Sequence, residues 1–161
     1  MSRAVEVKYL PVAKLQPYAG NARTHTPEQI EEIAGSIRRF GFTNPVLLWK
    51  KRRVIAGHGR LEAAKRLGLA EVPTIELPWL TDGQCAALTL ADNRIAANAG
   101  WDAGLLTAEL RSLKEIGESL EGLGFSEQEL VAALSPPTAG LTDPDLVPPT
   151  PEDPVSRPGD L

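Results

Sequence analysis

Apolar residues along this chain either recur at helical spacing or alternate in short runs, and the two patterns divide it. Ile30, Ile33, Ala34 and Ile37 lie three or four positions apart, on one face of a helix. Thr26, Pro27 and Gln29 stand ahead of them at the N-cap, first and third helical positions, and Gly41 stops the pattern. Thr81 and Asp82 cap another helix, which carries Ala86, Leu88, Leu90 and Ala91. Leu105, Leu106, Leu110, Leu113 and Ile116 predict an amphipathic helix, and Ser126 with Glu129 opens a short last one toward Leu130 and Leu134.

Alternation predicts the strands. Val5 to Leu10 alternates as a first strand, and residues 71–77 read as another. Two apolar runs, 45–49 and 53–56, are split by Lys50, Lys51 and Arg52, which predicts a hairpin with a basic turn. A helix over 58–67 follows at once and should end at Gly68, whereas Leu15 to Tyr18 and Gly20-Asn21 read as loop. There is no internal repeat. Strands early and helices late, without regular strand-helix alternation, imply an α+β fold rather than a doubly wound sheet.

Residues 135–161 hold 8 of the 14 prolines without apolar periodicity, so they read as a disordered linker, either a tail or a lead into a further domain. The rest of the 161 residues suffices for one domain with appendages. No run approaches a membrane span and the amino terminus lacks a signal-peptide core, which implies a cytoplasmic protein with no membrane partner. Cys85 is the only cysteine, so neither an internal disulfide nor a structural zinc site is expected, and Cys85 reads as a small buried residue.

The net charge of −4 conceals a polarity. Residues 1–101 carry 14 Lys and Arg against 9 Asp and Glu, whereas residues 102–161 carry 3 against 12. Any contact with phosphate therefore belongs to the first part. Within it, Val54-Ile55-Ala56-Gly57-His58-Gly59-Arg60 ends a strand in glycines and opens a helix immediately. Glycine permits close backbone approach, free first-turn amides and the helix dipole favour an anion, and Arg60 adds a planar fork matched to phosphate. The bland alternative is a tight turn with a surface arginine.

Asn44-Pro45-Val46 followed by Val54 to Ala64 resembles the amino-terminal domain of ParB-like proteins, within the ParB/sulfiredoxin fold. That resemblance implies a domain over 4–98 with a small mixed sheet, then a helical extension over 99–134. Relatives usually read Gly-Glu-Arg-Arg here and hold a nucleoside triphosphate, CTP or ATP. Gly57 and Arg60 match, whereas His58, Gly59 and Glu62 depart. The resemblance implies nucleotide contacts from Asn44, Pro45, Gly57, His58, Gly59 and Arg60. Ala91-Asp92-Asn93-Arg94 is similar to a second motif, which implies Mg2+ at Asn93 and Asp92 and Asp92 as a catalytic candidate for slow hydrolysis, while His58, which titrates near neutral pH, is a second candidate as acid or base by its own chemistry.

The loop has His58 where sulfiredoxin needs a cysteine, which excludes that activity. A small-molecule kinase of the same fold, a ParB-like nuclease and an inert interaction module are the alternatives. Lys50, Lys51, Arg52 and Arg53 form the densest basic cluster and are candidates for the DNA backbone, or simply a solvated turn. No recognition helix is evident, so the usual ParB helix-turn-helix is expected to be absent. The segments 90–94, 98–102 and 122–126 resemble ParB-like domains that continue into a DNA methyltransferase, and Pro154 to Leu161 resembles the junction. The expected partners are a nucleotide, DNA and that missing methyltransferase domain.

Overall fold

The computed structural model describes residues 3–135, so the 135–161 linker expectation lies, apart from Ser135, outside the described residues. The elements are β1 (Val7–Pro11), β2 (Gln16–Pro17), α1 (Pro27–Phe40), β3 (Val46–Trp49), β4 (Arg53–Ala56), α2 (His58–Arg66), β5 (Glu71–Glu76), α3 (Asp82–Asn98), α4 (Ala103–Glu115) and α5 (Glu127–Leu134). A 3-10 turn over Val12–Lys14 joins the first two strands.

The helix starts form as their side chains dictate. Thr26, Thr81 and Ser126 each close a reciprocal capping box, with Gln29, Gln84 and Glu129 respectively. Pro27 opens α1, where its missing N–H costs nothing. The first strand begins at Val7 rather than Val5, because only from Val7 does the chain pair with β5.

The five strands form one mixed sheet in the order β1-β5-β3-β4-β2. β1 is antiparallel to β5, β5 parallel to β3, β3 antiparallel to β4, and β4 parallel to β2. The architecture is thus α+β with a small mixed sheet. One expectation is corrected: Gln16 and Pro17, read as loop, pair with Arg53 and Val54. Two residues are too short to show alternation, and Pro17 is tolerated because β2 is an edge strand.

Both sheet faces are covered. Val46, Leu48, Val54 and Val72 pack with Leu61 and Ala64 of α2 and with Val12 and Leu15. On the opposite face Trp49, Ile55 and Leu77 enclose Cys85 of α3, a core position as expected. Full burial of a Leu or Ile contributes roughly 1.5–3 kcal/mol, so these layers hold the helices in place. A bulge lies between them: Leu47 pairs with Ala56 and Leu48 with Val54, leaving Ile55 extra. A bulge bends its strand, and this one lies two residues before the Gly57 turn. No helix among the described residues is long and apolar enough to cross a membrane.

Candidate functional site

The chain passes from β4 to α2 through Gly57 alone, which is left-handed with φ +90° and serves as the helix N-cap. A non-glycine residue is strained there. The first α2 bond runs from Leu61 N–H to the Gly57 carbonyl, so the amides of His58, Gly59 and Arg60 have no intrahelical acceptor. They open into a cleft of about 290 Å3, lined by the segment ahead of α1, the first turn of α2, and Asp92, Asn93 and Ala96 of α3.

Arg60 forms one side of this cleft. Its guanidinium folds back over Gly57 and donates to the Pro45 carbonyl at 3.5 Å. Its Nε is buried without a hydrogen-bond partner. Burial pulls its pKa down while the Asp92 carboxylate opposes that shift, but an arginine stays charged throughout. An unpaired N–H on a buried cation is costly unless an acceptor arrives. The arginine and the free amides thus fit an anion.

His58 points the other way in its bonding. Its Nε2 accepts from the Tyr18 N–H at 3.3 Å. Burial, followed by His25, lowers its pKa, so near pH 7 the ring is the neutral form that can accept. This bond ties the β2 end to the start of α2.

Asn93 and Asp92 face the cleft from α3. Asn93 Nδ2 donates to Asn21 Oδ1 at 3.3 Å, which leaves Asn93 Oδ1 for a cation. Arg23 Nη1 reaches the Asn93 carbonyl at 3.5 Å, and Asn21 Nδ2 bonds the Arg23 carbonyl at 2.9 Å. The donor set of two hard oxygens beside an anion-suited helix start fits magnesium, which keeps waters and binds few protein ligands. No group of three His, Cys, Asp or Glu forms a metal cluster among the described residues.

The structure therefore brings together Gly57, His58, Gly59, Arg60, Asp92 and Asn93 from distant segments. Asn44 lines a second pocket of about 210 Å3 with Phe42 and Thr43, and Arg60 borders both pockets. Pro45 takes part through its carbonyl. Sequence reasoning missed Asn21, Arg23 and His25. One signal was present: the chain has two histidines and both line this cleft.

The basic turn lies elsewhere, at the opposite end of β4 from Gly57. Arg53 N–H closes it onto the Lys50 carbonyl, with Lys51 and Arg52 both left-handed. Lys50 pairs with Asp82 at 3.2 Å and stacks on Trp49, and Arg53 lies over Trp49 and Tyr18. Lys51 and Arg52 make no ion pair among the described residues.

Comparison with known proteins agrees with this layout. Residues 1–94 match the family model of the ParB N-terminal domain, and residues 104–158 match that of the ParB-methyltransferase HTH domain. The second match overturns the expectation that a helix-turn-helix is absent, since α4 and α5 fall within it. Only Leu110 is buried in α4 and nothing is buried in α5, so the apolar spacing read as a plain amphipathic extension.

The ParB-like nuclease domain-containing protein YnaK of Escherichia coli K12 is 50% identical over 84 residues, 52% of this chain and 97% of its own. A nucleoid occlusion protein of Geobacillus sp. WCH70 is 34% identical over 93 residues, 55% of this chain and 33% of its own. The chain thus spans the first relative almost whole and a third of the second. A C-terminally truncated chromosome-partitioning protein ParB from Caulobacter crescentus, complexed with CTP-gamma-S, superposes with a TM-score of 0.60 at 21% identity. That match covers 80% of this chain and 70% of that one. With a phosphate-suited turn, a polar α3 wall and a model match over residues 1–94, the chain belongs to the ParB N-terminal domain family, here followed by a ParB-methyltransferase HTH match.

Proposed function

We propose that this chain binds a nucleoside triphosphate, CTP or ATP, with Mg2+, as the regulatory module of a DNA-modifying protein. One observation carries the reading: the buried, unpartnered Nε of Arg60 beside three free first-turn amides. The phosphates would lie over Gly57, His58, Gly59 and Arg60 in the larger cleft. The base would reach toward Asn44 and Pro45 past Arg60. Asn93 and Asp92 would hold the cation, which neutralises phosphate charge. For hydrolysis we assign the orientation of water to Asp92, since the His58 ring already accepts from the Tyr18 N–H. The Caulobacter ParB that superposes on this chain is complexed with CTP-gamma-S, which supports the ligand class.

DNA association is part of the same reading. The HTH match supplies the element for it, and Lys51 with Arg52 offers charge to the backbone at the far end of β4. The name of that HTH family supports a methyltransferase as the partner in a longer protein. The calorimetric test titrates CTP, ATP and GTP with and without Mg2+. Selective binding that vanishes in Arg60→Ala, and loses its Mg2+ dependence in Asn93→Ala, supports the reading. Absence of binding by every nucleotide sinks it.

A second reading is nuclease activity, favoured by the 50% identical relative, a ParB-like nuclease domain-containing protein. Metal-dependent cleavage of DNA abolished by Asp92→Asn would establish it in place of a nucleotide switch.

A further inference from the structure

Gly59 is buried in the first turn of α2, and its missing side chain has an occupant. A Cβ at this position would stand 2.9 Å from Ile33 Cδ1 and 3.0 Å from His25 Nε2. The His25 imidazole therefore fills the space into which a residue at 59 would project, and both residues line the cleft. The two histidines differ in what remains to them. His58 is engaged by the Tyr18 N–H, whereas no hydrogen bond holds the His25 ring among the described residues.

We infer that His25 is a proton-coupled ligand of the polyphosphate: its ring gains a proton as the anion enters, and Nε2–H donates to a phosphate oxygen beside Gly59. The inference rests on the nucleotide reading of this cleft and adds regulation by pH to it. The titratable and charged groups around His25 are Arg23 on its own segment and His58 from α2, and Arg60 and Asp92 line the same cleft. Burial, and then Arg23, hold its pKa below the ordinary 6.5. A phosphate at contact distance reverses the balance, because negative charge favours the imidazolium. Uptake of the proton then accompanies binding, and affinity rises as pH falls.

Calorimetry of CTP and ATP with Mg2+, at pH 8 and pH 6 and in buffers of differing ionisation enthalpy, tests this on the full chain. The wild type should gain roughly three- to tenfold more affinity across that span than His25→Gln, since one unit of pKa shift is a factor of ten. The variant meets the same nucleotide protonation, so the difference belongs to His25. Should His25→Gln fold poorly, the imidazole proton resonances of the wild type report the same quantity, and with two histidines in the chain His58→Gln assigns them. An upward move of the His25 midpoint on nucleotide binding sustains the inference. Binding without that move, or with equal proton uptake in His25→Gln, overturns it alone. No binding at either pH overturns the nucleotide reading as well.

Discussion

The guanidinium of Arg60 occupies the place where a side chain on Gly57 would begin: a Cβ there would lie 2.9 Å from Arg60 Nη2. Gly57 is also left-handed, so the position demands glycine twice, once for backbone and once for space. Gly57→Ala should lose about 1–2 kcal/mol of stability through the left-handed backbone. It should also weaken triphosphate binding by at least about tenfold as Arg60 is displaced. Urea unfolding and calorimetry on one preparation check both.

On the proposed reading, Arg60 serves binding at some expense to the fold. Its buried Nε has no acceptor, so removing it relieves a desolvation cost. Arg60→Ala should melt no lower than the wild type while losing nucleotide affinity. Arg60→Lys should fail to restore it, because an ammonium lacks the planar fork. A melting point that drops sharply in Arg60→Ala would show a structural role instead.

Stability should fall on mild acidification. Burial lowers the pKa of both His58 and His25 in the folded chain. The unfolded chain takes up protons at the ordinary value of 6.5, whereas the folded chain resists. Their contribution is therefore full above about pH 6.5 and declines as pH drops below it. His58→Gln keeps an acceptor for the Tyr18 N–H and should flatten this decline without abolishing it, since His25 remains. Melting temperatures from pH 8 to pH 5.5 measure the effect.

The basic turn separates charge from conformation. Lys51 and Arg52 have φ of 57° and 60°, a geometry that Asn-Gly adopts most readily. The double variant Lys51→Asn, Arg52→Gly should stabilise the hairpin by about 1 kcal/mol. If this turn meets DNA phosphates, the salt dependence of binding should become shallower by about 2 in log-log slope. An unchanged slope would remove the turn from the DNA surface.

Arg39 near the end of α1 reaches the connection between α4 and α5. It donates to the carbonyls of Ser119 and Glu121 at 2.7 and 2.9 Å and pairs with Glu118 at 2.7 Å. The pair is partly exposed, so Arg39→Ala should cost under about 1 kcal/mol. Its larger effect should be local: a Glu-specific protease should cut at Glu118 and Glu121 several-fold faster in the variant. Equal cutting would mean that other contacts hold this segment.

The sequence alone determined the local elements and half of the cleft. Thr26 with Gln29, Thr81 with Gln84 and Ser126 with Glu129 announce helix starts, because capping acts over three residues. The Gly57 to Arg60 turn was legible for the same reason, since strand end, glycine and helix start are contiguous. Tertiary structure alone decided the strand order, the two-residue β2, and the return of Asn21, Arg23 and His25 to the cleft. These depend on pairings such as Tyr18 with His58 and Asn21 with Asn93, 40 and 72 positions apart. Contacts at that range leave no periodic trace in either segment. Gly59 shows the boundary most sharply: its residue type is read at once, but the reason for it is an imidazole contributed from another part of the chain.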